Sequence, residues 1–357
     1  MSFLILIPPI TTIILALWTK EVFSSLLFGI LTGIGLVHGF NLKLFANFLD
    51  LYCLEALSNK DHLKVIIFSL CIGGLASLLQ YNGGIQGLIN QIGRKKRSKR
   101  SIEIYTYLLG LTIFFDDYAN TLITGNAMKR LFDQYQISRE KLALIVDTTS
   151  APITSIAFIT TWIGFELSQI SKPLESLHSN LLAYDLFLGS LKFAFYPIIM
   201  LIFIFAMIWF KVDIGPIKHT TPQPRMTENP SQKGNLWKLI IPILFLIIST
   251  LYFLIIDGLG TQNFSLNMLP KLVAKGDPFS ALYYSSILTL SLTFIWSIIY
   301  SHTIKDDLKK IIIGFRHMAI PIGILVLAWI FGQVMKDLNA GSLLAENLNH
   351  HIQPLIF

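Results

Sequence analysis

Asp116 and Asp117 stand side by side in the stretch Phe114-Phe115-Asp116-Asp117-Tyr118-Ala119-Asn120-Thr121. Apolar arms flank it, Ile102 to Phe115 before and Leu122 to Phe132 after, with Glu103 as an acid near the start of the first arm. One charged side chain at bilayer depth costs at least ~2.5–3.5 kcal/mol on insertion scales. Two at the tip of so apolar a hairpin therefore read as the start of an ion or proton site. The plainer reading is a water-exposed turn at which two acids end a helix. A second constellation, Asp147-Thr148-Thr149-Ser150-Ala151-Pro152, lies within the apolar run Leu142 to Phe165. A carboxylate, three hydroxyls and a proline in mid-span suggest a broken helix, whose freed carbonyls and helix ends bind ions in secondary transporters. Its plainer reading is that the hydroxyls bond back to their own helix and the proline only kinks it. Asn120 and Thr121 would supply neutral oxygens beside the acidic pair; Thr148, Thr149 and Ser150 would do so beside Asp147. Asp337 is a weaker candidate near a span end, and His38 reads as structural.

The elements that must hold these residues follow from composition. The chain is 53% hydrophobic and 14% charged, with mean hydropathy +0.62. Soluble globular domains carry about 25% charged residues, so this is an all-α polytopic membrane protein. The net charge of +7 does not point to nucleic acid, because the basic residues sit between apolar spans, where they set topology. Cys53 and Cys71 fit no metal spacing, and a disulfide between them stays open. There is no Walker loop, HExxH or dinucleotide fingerprint, and no convincing nucleophile–base pair for a membrane hydrolase. Neither an enzyme nor a resident cofactor is expected.

Along the chain, Phe3 to Trp18 lacks the basic start and cleavage site of a signal peptide and reads as a span. Val22 to Phe40 carries Gly29, Gly33, Gly35 and Gly39, a small-residue face for close packing. Asn41 to His62 reads as a loop with an interfacial helix, and Leu63 to Leu79 as a span ending at the turn Asn82-Gly83-Gly84. Six basic residues in the seven positions 94–100 mark a cytoplasmic loop; nuclear targeting and lipid binding are weaker readings of that run. Residues 102–132 are basic at both ends, which predicts a re-entrant hairpin entering and leaving on the cytoplasmic side. The broken helix at 142–166 precedes a polar loop, Glu166 to Asp185, and a span from Leu186 to Phe210. A cytoplasmic linker, 211–238, separates this first half (1–210) from the second (239–357), with spans at Leu239 to Ile256, Phe279 to Tyr300 and Ile311 to Met335. Most of the 28 Lys and Arg then fall inside, which places the N-terminus outside and counts about eight spans plus the hairpin.

Ile67 to Asn90 can be laid over Ile324 to Asn347, matching Leu70, Asn82, Gly84 and Asn90 to Leu327, Asn339, Gly341 and Asn347. The topology makes this an inverted repeat, with substrate expected near the midplane between halves. The second copy is incomplete: it has no counterpart of the acidic hairpin or the broken helix. The chain is then truncated, or a homodimer or partner chain supplies the rest.

The run from Phe114 to Glu166, FFDDYANTLITGNAMKRLFDQYQISREKLALIVDTTSAPITSIAFITTWIGFE, resembles the NhaC family of Na+/H+ antiporters within the ion-transporter superfamily. PPITTIILALWTKE, GGLASLLQYNGGIQ and ILVLAWIFGQVMKDLNAG extend the resemblance over nearly the whole chain. It implies an inner-membrane antiporter exchanging Na+ for H+, or a coupled exchanger of small organic anions. Family members continue into a further broken segment past this C-terminus, so the resemblance also allows a non-transporting remnant or subunit. Na+ prefers hard oxygen ligands, and Asp116, Asp117 and Asp147 are its candidate ligands. Burial raises a carboxyl pKa, which would let Na+ and a proton take turns on one group.

Overall fold

The apolar runs fold as helices. The computed structural model describes residues 4–93, 98–114, 117–157, 183–220, 234–260, 276–299 and 303–341, with isolated positions between them. There is no strand among the described residues. In chain order the helices are α1 Ile7–Thr19, α2 Val22–His38, α3 Leu44–Asn47, α4 Leu54–Ser58, α5 Lys60–Tyr81, α6 Gly84–Gly93, α7 Lys99–Thr112, α8 Asp117–Gln134 and α9 Arg139–Ile156. They continue as α10 Ala183–Ser190, α11 Phe195–Phe210, α12 Trp237–Leu259, α13 Pro278–Ile299, α14 Ile304–His317 and α15 Ala319–Asp337. Among the described residues, five segments are long and apolar enough to cross a membrane: Lys60–Tyr81, Phe195–Lys218, Trp237–Leu259, Pro278–Ile299 and Ile304–Asp337. Leu4–Thr19 and Val22–His38 are apolar but shorter.

The described residues within Met1–Ser69 and Arg316–Phe357 form one compact unit, and those within Leu70–Phe315 another. These units cut across the repeat boundaries read from the sequence. In the first, α2 packs on α1 and α15 through its glycines. A Cβ on Gly29 would stand 1.8 Å from Thr12 Oγ1, and one on Gly33 2.4 Å from Val334 Cγ1. Close backbone approach of this kind is how helices associate in lipid, where apolar burial gains nothing. The core joins Ile30 and Ile34 to Phe48, Tyr52, Leu327, Ile330 and Val334. The interfacial stretch expected between Asn41 and His62 is helical, with a π-helical turn at Phe48–Cys53 between α3 and α4.

In the second unit, α7, α8 and α9 pack mutually, and α11 lies on α7 and α9. α6 touches α8 and α12, and α13 lies along α12. The turn before α6 forms as the sequence indicates: Gly83 takes φ +86°, and Asn82 Oδ1 accepts from Gly84 N at 3.0 Å. α13 buries a row of hydroxyls, Ser285, Ser286, Thr289, Thr293 and Ser297, and exposes Tyr284, Leu288, Leu292 and Ile295. Thr250 of α12 donates to Ser285 Oγ at 2.8 Å.

Three expectations change. The helix does not break at 147–152: α9 runs through Pro152 to Ile156, and Ala157 is extended. Thr148, Thr149 and Thr154 donate to Leu144, Ile145 and Ser150 carbonyls one turn back, and Pro152, near the end of α9, removes only the one backbone bond to the Thr148 carbonyl. The span expected from Leu186 is instead α10 and α11 around a 3₁₀ turn, Leu191–Phe193. Pro197 has no N–H to return to Phe193. The last span starts earlier and turns at Met318 between α14 and α15, where Pro321 cannot donate to His317.

Candidate functional site

α8 and α9 run antiparallel, joined by the turn 135–138, in which Gln136 has φ +51°. Ser138 caps α9 by accepting from Lys141 N at 3.2 Å. Arg139 grips Asp133 across the turn, Nε to Oδ1 at 3.0 Å and Nη2 to Oδ2 at 2.7 Å. Thr121, Gly125 and Lys129 recur every fourth residue on α8; Arg139, Ala143 and Asp147 do so on α9. Residues at that spacing share one helix face. The two stripes line one open hollow of about 700 Å³, completed by Leu142, Leu144 and Val146. Gly125 leaves open space where a side chain would stand. Thr121 Oγ1 donates to Ser150 Oγ at 3.3 Å, so that hydroxyl pair and Asp147 belong to one end of the hollow. Lys129 and Arg139 belong to the other.

The structure sorts the residues singled out from the sequence. Thr121 and Asp147 line the hollow, and both are exposed. Ser150 is buried beside them through its bond to Thr121. Asn120 faces elsewhere: its Nδ2 donates to Gly110 O at 2.6 Å, and its Oδ1 accepts from Thr124 Oγ1 at 2.9 Å. Thr149 is fully buried against Gly110, where an added Cβ would lie 2.2 Å from its Oγ1. Asn120 and Thr149 thus lock α7, α8 and α9 around one glycine. Thr148 is buried, with its hydroxyl committed to Leu144 O. Asp117 is half-buried in the first turn of α8, where the helix dipole favours an acid. Asp116 lies outside the described residues. Among the described residues, no group of three or more His, Cys, Asp or Glu is placed to hold a metal ion. Hydroxyls and carbonyls would therefore supply most oxygens around a cation at Asp147.

Other charged groups escaped the sequence reading. Lys141 Nζ lies 2.7 Å from Glu103 Oε1 and 2.7 Å from Asp213 Oδ1, joining α7, α9 and the stretch after α11. Its place in a basic run made it look like a topology signal only. Asp307 of α14 is fully buried and paired with Lys310 at 3.0 Å, yet its other oxygen has no hydrogen-bond partner among the described residues. The loop position read from its neighbours hid it. Burial pushes the Glu166 carboxyl up to about 7; the apolar residues just before it, Ile163-Gly164-Phe165, were the available signal. In the first unit, His38 and Asp337 are not isolated. His38 Nε2 stands 3.2 Å from Tyr52 Oη, which donates to Asp337 Oδ2 at 2.9 Å. With that phenol proton given to Asp337, His38 is the donor to the phenol oxygen. Burial and then Asp337 push the Tyr52 phenol well above its usual value.

Apolar helices with polar groups turned inward, and a hollow carrying a carboxylate and a hydroxyl, fit a membrane transporter. A family model described as the Na+/H+ antiporter family matches residues 156–355. That is more than half of the sequence, and the chain belongs to the Na+/H+ antiporter family. It is an integral membrane protein. The match begins after the α8–α9 hollow. An uncharacterized protein of Haemophilus influenzae (strain Rd KW20) is 26% identical over 98% of this chain and 71% of its own length. No solved structure matches the chain.

Proposed function

We propose that the chain exchanges Na+ for H+ through the α8–α9 hollow, with Asp147 as the group on which the two ions alternate. The observation that carries this is the convergence of Asp147 and Thr121 from two helices on one opening, with the buried Ser150 hydroxyl bonded to Thr121 behind it. An exposed aspartate is costly against acyl chains, so the hollow takes water. A carboxylate neutralised by a proton has no charge left for Na+, and the reverse holds. Competition for one charge is enough to couple the two flows. Asp117, in the first turn of α8, and Asp116 complete the ligand set in this proposal.

Placement in the NhaC subfamily rests on the run from Phe114 to Glu166. An inverted repeat is favoured by a shared local pattern: α5 and α15 each end in a two-residue turn, at 82–83 and 338–339, followed by a new helical start. We further propose a bacterial inner-membrane location with the N-terminus outside. In this reading the chain works as a homodimer or with a partner chain, acts without a cofactor and is no enzyme.

A second reading has its own observation. The hollow is far larger than a bare ion, and Lys129 and Arg139 line it with Asp147. That suits a small organic anion exchanged with the coupling ion, the carboxylate of the substrate meeting Lys129. Everted vesicles separate the two. Asp147→Asn should lower Na+-driven proton movement at least ten-fold, while Lys129→Gln leaves it within about two-fold. Normal exchange in Asp147→Asn overturns the assignment; loss in Lys129→Gln, with dependence on an added carboxylate, favours the anion.

A further inference from the structure

We infer that a second cavity, on the far side of the α8–α9 turn, is a phosphate-binding site that seats the headgroup of an anionic phospholipid. It has a volume of about 470 Å³ and is lined by Lys99, Arg100, Lys141, Lys211 and Lys218, against two carboxylates, Glu103 and Asp213. Both carboxylates are spent on Lys141, each at 2.7 Å from its Nζ. Lys99 shares the field of Glu103, and Arg100, Lys211 and Lys218 face the cavity without an ion pair to either acid. Lys99 donates to Gln136 O at 2.8 Å and is thereby held at the rim. The Arg100 guanidinium lies 4.1 Å over the Trp209 ring, and its buried Nε has no hydrogen-bond partner among the described residues. A planar guanidinium anchored by an indole face is oriented for a phosphate fork.

Two further features add to the field and choose the source of the phosphate. The N-cap residues of α7 and α9, Ser98 and Ser138, are both in the lining, so two helix starts direct partial positive charge inward. The rim is apolar on one side. α11 has a mean hydropathy that fits a membrane span, and Phe210 at its end and Val212 and Ile214 just past it stay exposed. The exposed Trp209 marks the interfacial level where indoles settle. A headgroup in the cavity would leave its acyl chains along α11. A free phosphate would leave those apolar residues facing water.

The test uses the purified full chain and needs no transport, so its outcome is independent of the exchange reading. Native mass spectrometry with phosphatidylglycerol and phosphatidylcholine in competition should show phosphatidylglycerol retained preferentially. Surface-potential energetics of about 1 kcal/mol per basic residue correspond to about five-fold in affinity for each. Lys211→Gln with Lys218→Gln should therefore lower phosphatidylglycerol retention by more than ten-fold. Both side chains are exposed, Lys211 just past α11 and Lys218 in the 3₁₀ turn Gly215–His219, so the melting temperature should hold. Arg100→Gln, which leaves both lysines in place, is the second variant and should reduce retention as well. Equal retention of the two lipids, or unchanged preference in both variants, overturns the site. A rise in melting temperature with inorganic phosphate but none with phosphatidylglycerol overturns the lipid source.

Discussion

At the scale of single residues, the two acidic constellations read from the sequence have different fates. Asp147 reaches an open hollow, whereas Thr148 and Thr149, its immediate neighbours, turn their hydroxyls back on their own helix. Residue type alone did not separate them, because a threonine oxygen suits a cation and a helix carbonyl equally well. What decides is the angle around α9: positions 139, 143 and 147 face α8 across the hollow, and position 149 faces Gly110 of α7. Glu166 yields a prediction at this scale. Its carboxyl holds the proton up to about pH 7 in the folded protein because burial disfavours the anion, while in the unfolded chain it titrates near 4.5. Between those values the folded state binds more protons than the unfolded one. Stability should therefore fall as pH rises from about 4.5 to 7 and change little above. Thermal melts of Glu166→Gln across that window should show a flatter slope than the native chain.

At the scale of elements, Gly110 is the point on which three helices agree. Asn120 reaches its carbonyl from α8, and Thr149 fills the space its missing side chain leaves, from α9. Gly110→Ala would place a methyl 2.2 Å from a threonine oxygen on a fully buried residue. Overpacking of this kind costs about 1–3 kcal/mol. The expected outcome is a melting temperature lower by several degrees, with Thr149→Ala restoring part of it; an unchanged melt would show that α7 and α9 slide freely. Much at this scale was legible beforehand. Gly29 and Gly33 announced a close helix contact, and Asn82-Gly83-Gly84 announced a turn. The interior of α9 was not legible, because Asp147 to Pro152 carries every local sign of a break. The helix nevertheless runs through Pro152 to Ile156, with the Thr148, Thr149 and Thr154 hydroxyls turned back on its own carbonyls. Tertiary neighbours also hid Lys141, whose partners lie far off in sequence at 103 and 213.

At the scale of the whole molecule, composition was sufficient for the class, an all-helical integral membrane protein; the Na+/H+ antiporter family rests on the match over residues 156–355. The pairing of the first and last parts of the chain into one unit was not visible, since periodicity says which face a helix buries and not which helix covers it. The basic loops do carry a topological prediction. With Cys53 and Cys71 replaced by Ser, single cysteines at Lys218 and Lys238 should react with an impermeant maleimide only from the cytoplasmic side. Labelling of both from outside would invert the topology.

One consequence of α13 remains. A helix in water shows its hydroxyls to the solvent; this one conceals Ser285, Ser286, Thr289, Thr293 and Ser297 and offers leucine, isoleucine and tyrosine outward. Of these hydroxyls, Ser286 and Thr293 donate back to their own helix and would stay bonded at any azimuth, whereas Ser285 accepts from Thr250 of α12. That one contact across to its neighbour is what gives the concealed face a heading, like the pin of a compass needle.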